Sequence, residues 1–374
     1  MNSKLPVAIA VVVLSILGAG ELALAGNGRS ERGVRGKVPC AKLKKQHKRL
    51  PPRCRKPPPP PKPTAPPVLG SVTATIDIPG ETTTVNPGSD SDTGGMVYGA
   101  GSLWTADTHG LVRIDPGTNA VIARVPGPSA YGGIVFSDGA VWYSSWDAGA
   151  VLRVDPATNA IVATIPVPAG PEELAALPGS VWVASHYDWS ASRIDTSANR
   201  VVATVRMPGE YPGCCGPQGI AAGEGGVWVA VPGLGGTNLV VRIDPVTNAV
   251  SAVIGGSTQT CGALLAGAGA VWVTNGGCGG PGVARIDPTT NRVVARGLGD
   301  MIRVADGAAA DGSVFFRVES VTDGVERVDP ATNTVTGVLE IRGLPAMGAG
   351  RIAYGAGSVW VRAPARILRV NVTT

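Results

Sequence analysis

The sequence predicts an all-β fold, a seven-bladed β-propeller, and three observations support it. A strand that ends in Arg-Ile-Asp-Pro or a close variant recurs seven times. Its acidic residue falls at Asp115, Asp155, Asp195, Asp244, Asp287 and Asp329, and Asn371 takes its place in the last copy. An apolar strand centred on an aromatic residue precedes each copy by 11 to 16 residues; the aromatics are Trp104, Trp142, Trp182, Trp228, Trp272, Phe315 and Trp360. These aromatics recur every 38 to 46 residues. Each repeat holds four strand-sized segments and no helical pattern, which is typical of a propeller.

Each repeat is predicted to be a four-stranded blade, and blade two shows the plan. Its strands are expected at residues 133–137, 140–144, 151–155 and 160–166. The last two are joined by an Asp-Pro-Ala-Thr-Asn turn from Asp155 to Asn159. Proline presets the backbone for a type I turn, aspartate accepts hydrogen bonds from the turn amides, and asparagine tolerates the left-handed conformation that closes the loop. Hairpin formation therefore explains the recurring Asp-Pro-Ala-Thr-Asn sequence, without a bound ligand.

The repeated arginine and aspartate lie two residues apart, as in Arg113 and Asp115. Both side chains then project from one face of a strand. We expect them to form ion pairs between neighbouring blades, and we expect the aromatic series to pack between blades. Because both features occur in every repeat, they indicate structure rather than a binding site.

The ring is expected to close through its N-terminal strand. Blade seven has candidate strands at residues 350–354, 359–362 and 367–372, but no outer strand before Thr374. The segment at residues 72–79 matches the outer-strand phrase of blade two at residues 160–166. The first strand is therefore predicted to complete the last blade, which removes the exposed edges of an open ring.

Three segments are predicted along the chain: a signal peptide at residues 1–25, a basic proline-rich arm at residues 26–70, and the propeller at residues 71–374. Lys4, an apolar run and then Ala23-Leu24-Ala25 are typical of a secretory signal with a cleavage site. Retention of this segment as a membrane anchor is the alternative, although the apolar run is short for a membrane span. The sequence thus predicts an extracytoplasmic protein, secreted or held in the cell envelope.

The charge is divided between the arm and the propeller. Residues 26–70 carry 13 Lys and Arg against Glu31 alone, whereas residues 71–374 carry 18 Arg, no Lys and 25 acidic residues. The arm is expected to be an extended, solvated spacer. Its basic stretch at residues 29–62 could bind an anionic envelope polymer, a membrane surface or nucleic acid. A passive basic linker is the alternative.

The six cysteines are an even number in an oxidising compartment, which favours disulfides over a metal site. Cys40 and Cys54 could close a small loop within the arm. The other four cluster in blades four and five, where they could staple long loops or serve a redox role. These four are Cys214, Cys215, Cys261 and Cys278. Their connectivity stays open.

Function is predicted on the propeller face that carries the connections between second and third strands and between blades. The opposite face is uniform, with Gly-x-Gly-like or Asp-Pro-x-Thr-Asn-like turns. The variable face collects side chains that differ from blade to blade, and such loops on a rigid ring commonly bind ligands. Its candidate ligand-binding residues are Asp107, His109, Tyr131, Trp146, Asp147, Glu172, Glu173, His186, Tyr187, Trp189, Tyr211, Asn275, Arg303 and Arg317.

Several common catalytic motifs are missing from the propeller sequence. It has no lysine, hence no Schiff-base lysine and no phosphate-binding Gly-Lys loop, and it has no Gly-x-Ser-x-Gly or His-Glu-x-x-His motif. An acid–base or divalent metal site would need His109 or His186 beside a carboxylate such as Asp188. No cofactor is predicted. Lyase or hydrolase chemistry with these three residues is the alternative to simple binding.

The phrase VLRVDPATNAIVATIPV at residues 151–167, followed by SVWVAS at residues 180–185, resembles the repeats of secreted YVTN or YncE-like propellers. The resemblance covers residues 71–374 and implies a seven-bladed fold. Neighbours of that family include the virginiamycin B lyases, whose metal-dependent chemistry uses histidines and an acid on the loop face. Only His109 and His186 occur in this propeller, two blades apart. No lyase residue is therefore carried over.

Taken with the charge pattern, these observations favour a monomeric, non-catalytic scaffold that binds a protein, a polymer or a small ligand on its variable face. Two alternatives are a lyase or hydrolase on the same face, and a binder of anionic wall polymer or nucleic acid that acts through the arm. The sequence does not specify the ligand.

Overall fold

A computed structural model describes residues 65–372 of the chain, apart from short gaps. The gaps fall at residues 80–93, 131, 210–215, 232–237, 257–262, 277–281, 299–300, 302, 311, 320–322, 343, 345–350 and 364. The described residues form 28 β-strands and no helix, so none of them belongs to a membrane-spanning helix. All six cysteines, Tyr131 and Tyr211 lie outside the described residues. The predicted disulfides and the basic stretch of the arm therefore lie outside them too.

The strands, in chain order, begin with β1 (Gly70–Asp77). Blades one to three contain β2 (Met96–Gly99), β3 (Ser102–Asp107), β4 (Gly110–Asp115), β5 (Ala120–Pro126), β6 (Ile134–Ser137), β7 (Ala140–Ser145), β8 (Ala150–Asp155), β9 (Ala160–Pro166), β10 (Pro171–Leu177), β11 (Ser180–Ser185), β12 (Ser190–Asp195) and β13 (Arg200–Arg206). Blades four to seven contain β14 (Ile220–Gly223), β15 (Gly226–Val231), β16 (Leu239–Asp244), β17 (Ala249–Gly255), β18 (Leu264–Gly267), β19 (Ala270–Thr274), β20 (Val283–Asp287), β21 (Arg292–Arg296), β22 (Arg303–Ala310), β23 (Ser313–Glu319), β24 (Gly324–Asp329), β25 (Thr334–Glu340), β26 (Ile352–Gly355), β27 (Ser358–Ala363) and β28 (Arg366–Val372).

These strands form seven four-stranded antiparallel sheets, which confirms the predicted seven-bladed propeller. Blades one to six each use four consecutive strands, from β2–β5 in blade one to β22–β25 in blade six. In blade two, the observed strands β6 to β9 agree with the predicted bounds to within one residue at each end.

Blade seven is completed by the N-terminal strand, as predicted. Its strands lie in the order β1-β28-β27-β26, and β1 runs antiparallel to β28 with Asp77 opposite Arg366. The chain before β1 is also packed, because Leu69 is fully buried and its N–H donates to the carbonyl of Val338 in β25 at 2.9 Å. The propeller therefore begins before residue 71, the predicted boundary with the arm. Its first residues join the outer edges of blades six and seven.

The hairpins between third and fourth strands close as their sequence predicts. Asp155 accepts hydrogen bonds from the N–H of Ala157 at 2.9 Å and from the hydroxyl of Thr158 at 3.0 Å. Asn159 has a φ of 54°, a left-handed conformation that asparagine adopts more readily than most residues. The same conformation recurs at Asn119, Asn199, Asn248, Asn291 and Asn333.

The repeated arginine joins neighbouring blades through hydrogen bonds in place of the predicted ion pairs. Arg113 of blade one donates to the carbonyl of Pro156 at 2.6 Å and to Oδ1 of Asn159 at 3.0 Å, both in blade two. Its guanidinium also lies 4.9 Å from the ring centre of Trp104, in cation–π contact. Hydrogen bonds to the turn of the next blade recur at Arg153, Arg193, Arg242 and Arg369. At these interfaces the aspartate oxygens accept hydrogen bonds within their own turn, so the arginine pairs with the asparagine instead.

The core consists of apolar clusters between adjacent blades. Trp104, for example, is fully buried and shares a cluster with Val141 and Leu152 of blade two. Its indole N–H donates to the carbonyl of Gly99 at 3.1 Å, which ties the ring to the hairpin of its own blade. The predicted packing of the aromatic series between blades is confirmed.

Candidate ligand site in the central channel

The first strands of the seven blades surround a cavity of about 280 Å³. Its wall contains residues of β2, β6, β10, β14, β18, β22 and β26 and residues immediately before β2, β18 and β26. Because every blade contributes, the cavity lies on the axis of the ring. The connections that enter first strands emerge on the variable face, so this is the end of the channel where a ligand site was predicted.

One position on this wall varies between blades in a simple way. It lies nine residues before the blade aromatic and is occupied by Gly95, Gly133, Glu173, Gly219, Ala263, Asp306 and Arg351. Four blades carry glycine or alanine there, whereas blades three, six and seven carry a charged residue. All three charged residues line the cavity.

Glycine at this position in blade two is required by the neighbouring strand. The N–H of Gly133 donates to the carbonyl of Glu172 at 3.0 Å. A Cβ at Gly133 would lie 2.2 Å from the backbone nitrogen of Leu174. This close approach excludes a side chain at this position of blade two. The cavity therefore has a charged wall from blades three, six and seven and a wall of small residues elsewhere.

Arg351 of blade seven links the three charged positions. Its guanidinium forms an ion pair with the carboxylate of Glu173 in blade three. Blades three and seven are as far apart as two blades of seven can be, so this pair crosses the axis. Asp306 of blade six accepts hydrogen bonds from the N–H of Ile352 at 3.1 Å and from the N–H of Gly307 at 2.8 Å. One guanidinium thus faces several carboxyl groups.

The protonation of these carboxyl groups follows from their burial. Burial, followed by the negative charge of Glu173, raises the pKa of Glu172 to about 8, against the opposing effect of Arg351. Burial also raises the pKa of Asp306 to about 6, although Arg351 and the N–H of Ile352 act in the opposite direction. The carboxylate of Glu173 raises the pKa of Arg351. At neutral pH, Glu172 therefore holds a proton while Asp306 is mostly ionised.

His186 lies beside Glu172, the residue that precedes the cavity-lining Glu173. Its Nδ1 is 3.3 Å from Oε1 of Glu172, and its Nε2 accepts a hydrogen bond from the N–H of Gly216 at 3.3 Å. Burial lowers the pKa of His186, so the ring is neutral at pH 7. Acceptance at Nε2 places the single ring proton on Nδ1, which then faces the Glu172 carboxyl.

Three aromatic rings meet next to Glu172 on the variable face. The ring centre of Trp146 lies 5.0 Å from that of Tyr187 and 5.8 Å from that of His186, and the Tyr187 and His186 rings are 5.2 Å apart. Tyr187 is 67% exposed. We refer to Trp146, His186 and Tyr187 as the aromatic rim. It adjoins Glu172, which precedes the cavity-lining Glu173 in β10, but neither the rim nor Glu172 lines the cavity itself.

Four other predicted face residues are buried and support the fold. Asp107 is 5% exposed and pairs with an arginine of β5 at 2.8 Å. Oδ1 of Asn275 accepts a hydrogen bond from the N–H of Val304 at 2.9 Å. Trp189 is 4% exposed in the core between blades three and four, and Arg317 is fully buried in β23. Loop backbone and core surround these four side chains, and none of them lines the cavity.

Among the predicted residues that the structure describes, Glu173 alone lines the cavity. His109 is 2.9 Å from the hydroxyl of the preceding threonine, and Asp188 pairs with Arg206 at 3.4 Å. Asp147 is exposed, and Arg303 is half-buried at the start of β22. Within the part of the chain that the structure describes, no three His, Cys, Asp or Glu side chains are grouped as metal ligands.

Asp306 and Arg351 were missed by the sequence reasoning, although they complete the site. A signal was present, because both stand nine residues before a blade aromatic, where most blades have glycine or alanine. An alignment of the seven repeats on their aromatics marks Glu173, Asp306 and Arg351 as the exceptions. Their convergence on one cavity becomes evident only when the ring is closed.

Comparisons with known proteins support the fold and no more. No family model matches the chain, and no curated protein matches it. Among solved structures it is similar to "Kuenenia stuttgartiensis Hydrazine Synthase", with a TM-score of 0.63 and 11% identity over 79% of this chain and 99% of that one. It is also similar to a chain of "Crystal Structure of Mitotic Checkpoint Complex", with a TM-score of 0.64 and 11% identity over 83% of this chain and 97% of that one. At such identities the likeness concerns the propeller fold alone.

Proposed function

We propose that this propeller is a binding scaffold that holds a small polar ligand in the cavity at the variable face of its central channel. The observation that carries this proposal is the charged wall formed by Glu173, Asp306 and Arg351 on an otherwise small-residue ring. Blades three, six and seven have an ionisable residue at a position where the other four blades have glycine or alanine. Packing between blades does not require these charged residues.

The dimensions of the cavity favour a small ligand. About 280 Å³ is near the lower end of the range for small-molecule sites. Three charged side chains converge on it, and the other lining residues are glycine or have aliphatic side chains or, in one case, methionine; a few placed polar groups are common in sites that orient a ligand. The aromatic rim, which adjoins Glu172, supplies further contact area beside the cavity.

A variant with a bulky side chain in the cavity tests this proposal. Ala263 lies nine residues before the aromatic of blade five and lines the cavity, so Ala263→Phe is expected to fill the cavity. Ala120→Phe, at an exposed site in β5, is the matched control. We expect compounds from a mixed library of cationic, neutral and anionic small molecules to raise the melting temperature of the wild type and of Ala120→Phe, but not of Ala263→Phe. Equal stabilisation of all three proteins would contradict the proposal, as would a library with no stabilising compound.

Acid–base catalysis is a second candidate function, and one contact favours it. His186 and Glu172 are 3.3 Å apart, and Glu172 precedes the cavity-lining Glu173. A carboxyl that is protonated at neutral pH beside a neutral imidazole is suited to proton transfer. A lyase or hydrolase of this kind would lose activity in His186→Gln while His109→Gln keeps it. Equal activity in both variants, against any substrate found for the protein, would remove this candidate.

We further propose that the protein is secreted or held in the cell envelope and that residues 29–62 bind an anionic envelope polymer. The basic composition of that stretch and the apolar N-terminal run support this. The resemblance of the repeats to secreted YVTN or YncE-like propellers is consistent with it. Deletion of residues 26–64 should abolish salt-sensitive retention on such a polymer. Unchanged retention would show that the arm is a passive linker.

A further inference from the structure

Among the residues that line the cavity, acidic side chains outnumber basic ones. Glu173 and Asp306 line it together with Arg351, whose guanidinium is paired with Glu173 and lies near Asp306, and Glu172 precedes Glu173 in β10. An anionic ligand would have to displace one of these carboxylates from the arginine. A cationic ligand needs no such displacement, since carboxylate oxygens are acceptors only.

The aromatic rim is an independent feature with the same preference. Trp146 and Tyr187 meet edge to face, 5.0 Å between ring centres, with an interplanar angle of 79°. Ring faces attract ammonium groups and the hydrocarbon adjacent to them, and tryptophan is the strongest partner of this kind. The rim reaches Glu172 through His186, at 3.3 Å. An amine with a short apolar body would therefore contact both parts of the site at once.

On the basis of the proposed function, we infer that the ligand is a small organic amine in its ammonium form. The ammonium group lies at Glu172 and Glu173, and the apolar body packs against the aromatic rim. Binding is coupled to loss of the Glu172 proton, because a cation at this carboxyl stabilises its ionised form. The proton passes to the solvent, and the ligand brings its own positive charge.

The groups that face Glu172 determine how strong this coupling is. They are Glu173 on the same strand, His186 after β11, Arg351 before β26 and, beyond Arg351, Asp306 in β22. Burial and Glu173 keep Glu172 protonated at pH 7, while Arg351 opposes them and His186 stays neutral. A bound ammonium adds a second cation to the site. Release of about one proton per ligand is therefore expected at pH 7, and almost none at pH 9.

Three probes of nearly equal size separate the ligand classes: 2-phenylethylamine, 2-phenylethanol and phenylacetate. In calorimetric titrations of the full chain at pH 7, we expect the amine to bind at least about tenfold more tightly than the alcohol or the acid. Repeating the titration in two buffers of different ionisation enthalpy gives the number of protons released. Equal or tighter binding of the alcohol or the acid would overturn the inference, as would binding of none of the three.

Glu172→Gln is the variant that isolates the coupling, and Asp77→Asn is its control. Asp77 is an exposed carboxylate at the end of β1, outside the proposed site, so its removal changes the net charge equally. We expect Glu172→Gln to weaken amine binding about tenfold and to abolish proton release, while Asp77→Asn behaves as the wild type. Proton release that survives in Glu172→Gln would overturn the inference.

Two results keep this inference distinct from the proposed function on which it rests. If library compounds of another class bind the wild type but not Ala263→Phe, the cavity is a ligand site and only the amine assignment fails. If Glu172→Gln does not fold, the wild type alone still decides: its affinity for the amine should rise between pH 6 and pH 8, by up to about tenfold per pH unit. An affinity that stays constant over this interval contradicts the coupling.

Discussion

The guanidinium of Arg351 in blade seven pairs with the carboxylate of Glu173 in blade three, across the axis of the propeller. Glu173 lies in β10 and Arg351 directly precedes β26, and these two strands belong to sheets three blades apart on the shorter side of the ring. Glycine or alanine at the equivalent position of four other blades leaves room for this contact. The pair therefore links opposite sides of the ring directly, in addition to the interfaces between neighbours.

Removal of this cation should destabilise the propeller. Arg351→Met leaves Glu173 and Asp306 in one cavity without their counter-charge, and we expect a loss of about 1–3 kcal/mol in the free energy of unfolding. The expected loss is smaller than for a fully buried pair because 21% of the Arg351 side chain and 22% of the Glu173 side chain remain exposed. Urea unfolding at pH 7 measures it.

A surface ion pair provides the control for this measurement. Arg342 lies 3.4 Å from Glu340 and is 91% exposed, so Arg342→Met should change stability by less than about 0.5 kcal/mol. Adding Glu173→Gln to Arg351→Met should restore part of the loss, since it removes the unpaired charge. If Arg351→Met costs no more than Arg342→Met, the pair across the axis does not contribute to stability.

The stability of the propeller should fall as the pH rises from about 4.5 to about 8. Burial raises the pKa of Glu172 from 4.5 to about 8, so between these values the folded state holds a proton that the unfolded state has released. Folding is then favoured below 4.5, and this contribution is lost progressively until the pH passes 8. The slope is at most about 1.4 kcal/mol per pH unit for one proton. Asp306 adds to the decline between 3.8 and about 6, whereas the lowered pKa of His186 opposes it below about 6.5.

Urea midpoints at half-unit steps from pH 5 to pH 9 test this dependence. Glu172→Gln has no proton to lose at this position and should show a flatter profile above pH 6, whereas Asp147→Asn should follow the wild type. A wild-type stability that rises over this interval would mean that the Glu172 carboxyl is ionised in the folded protein. The flatter profile of Glu172→Gln above pH 7 also distinguishes the contribution of Glu172 from that of Asp306, because the titration of Asp306 is complete by about pH 7.

The fold could be predicted because its determinants are local and repeated. An Asp-Pro-x-Thr-Asn turn such as residues 155–159 specifies a hairpin from five neighbouring residues, and several copies leave little ambiguity about the period. Closure of the ring by β1 could also be predicted, because the sequence of β1 matches the outer strands. The packing of the residues before β1 could not be predicted, since Leu69 precedes the repeat and is buried by a blade distant in sequence.

The site was only partly predictable, because it depends on exceptions to the repeat. Glu172, Glu173, His186, Trp146 and Tyr187 were recognised as variable residues on one face. Their assembly into one site depends on distances between blades that sequence spacing does not specify. The clearest case is the pair between Glu173 and Arg351, whose partners are 178 residues apart.

The asparagines that close the outer hairpins have two roles that substitution can separate. Asn159→Gly keeps the left-handed backbone but removes the Oδ1 acceptor for Arg113, 3.0 Å away in blade one. We expect a loss of about 1 kcal/mol in the free energy of unfolding.

Asn333→Gly is the matched control, because Oδ1 of Asn333 is buried and has no hydrogen-bond partner in the described structure. Its replacement should change stability by less than about 0.5 kcal/mol. Equal losses in the two variants, measured by urea unfolding, would assign the asparagine to the turn alone.

The segment before β1 should contribute to ring closure through Leu69. This side chain is fully buried in the cluster of blades six and seven, where it meets Gly337 of β25; a Cβ at Gly337 would lie 3.1 Å from Leu69 Cδ1. Leu69→Ala leaves a cavity at the seam between the first and last parts of the chain, and we expect a loss of about 2–4 kcal/mol in the free energy of unfolding. Val68→Ala is the adjacent control, since Val68 is 72% exposed and its substitution should cost less than about 0.5 kcal/mol.

Because the seam lies where an open ring would separate, Leu69→Ala should also speed hydrogen exchange in β1 and β28 more than in β8 and β9. Uniform exchange rates across these strands would mean that the ring closes independently of Leu69.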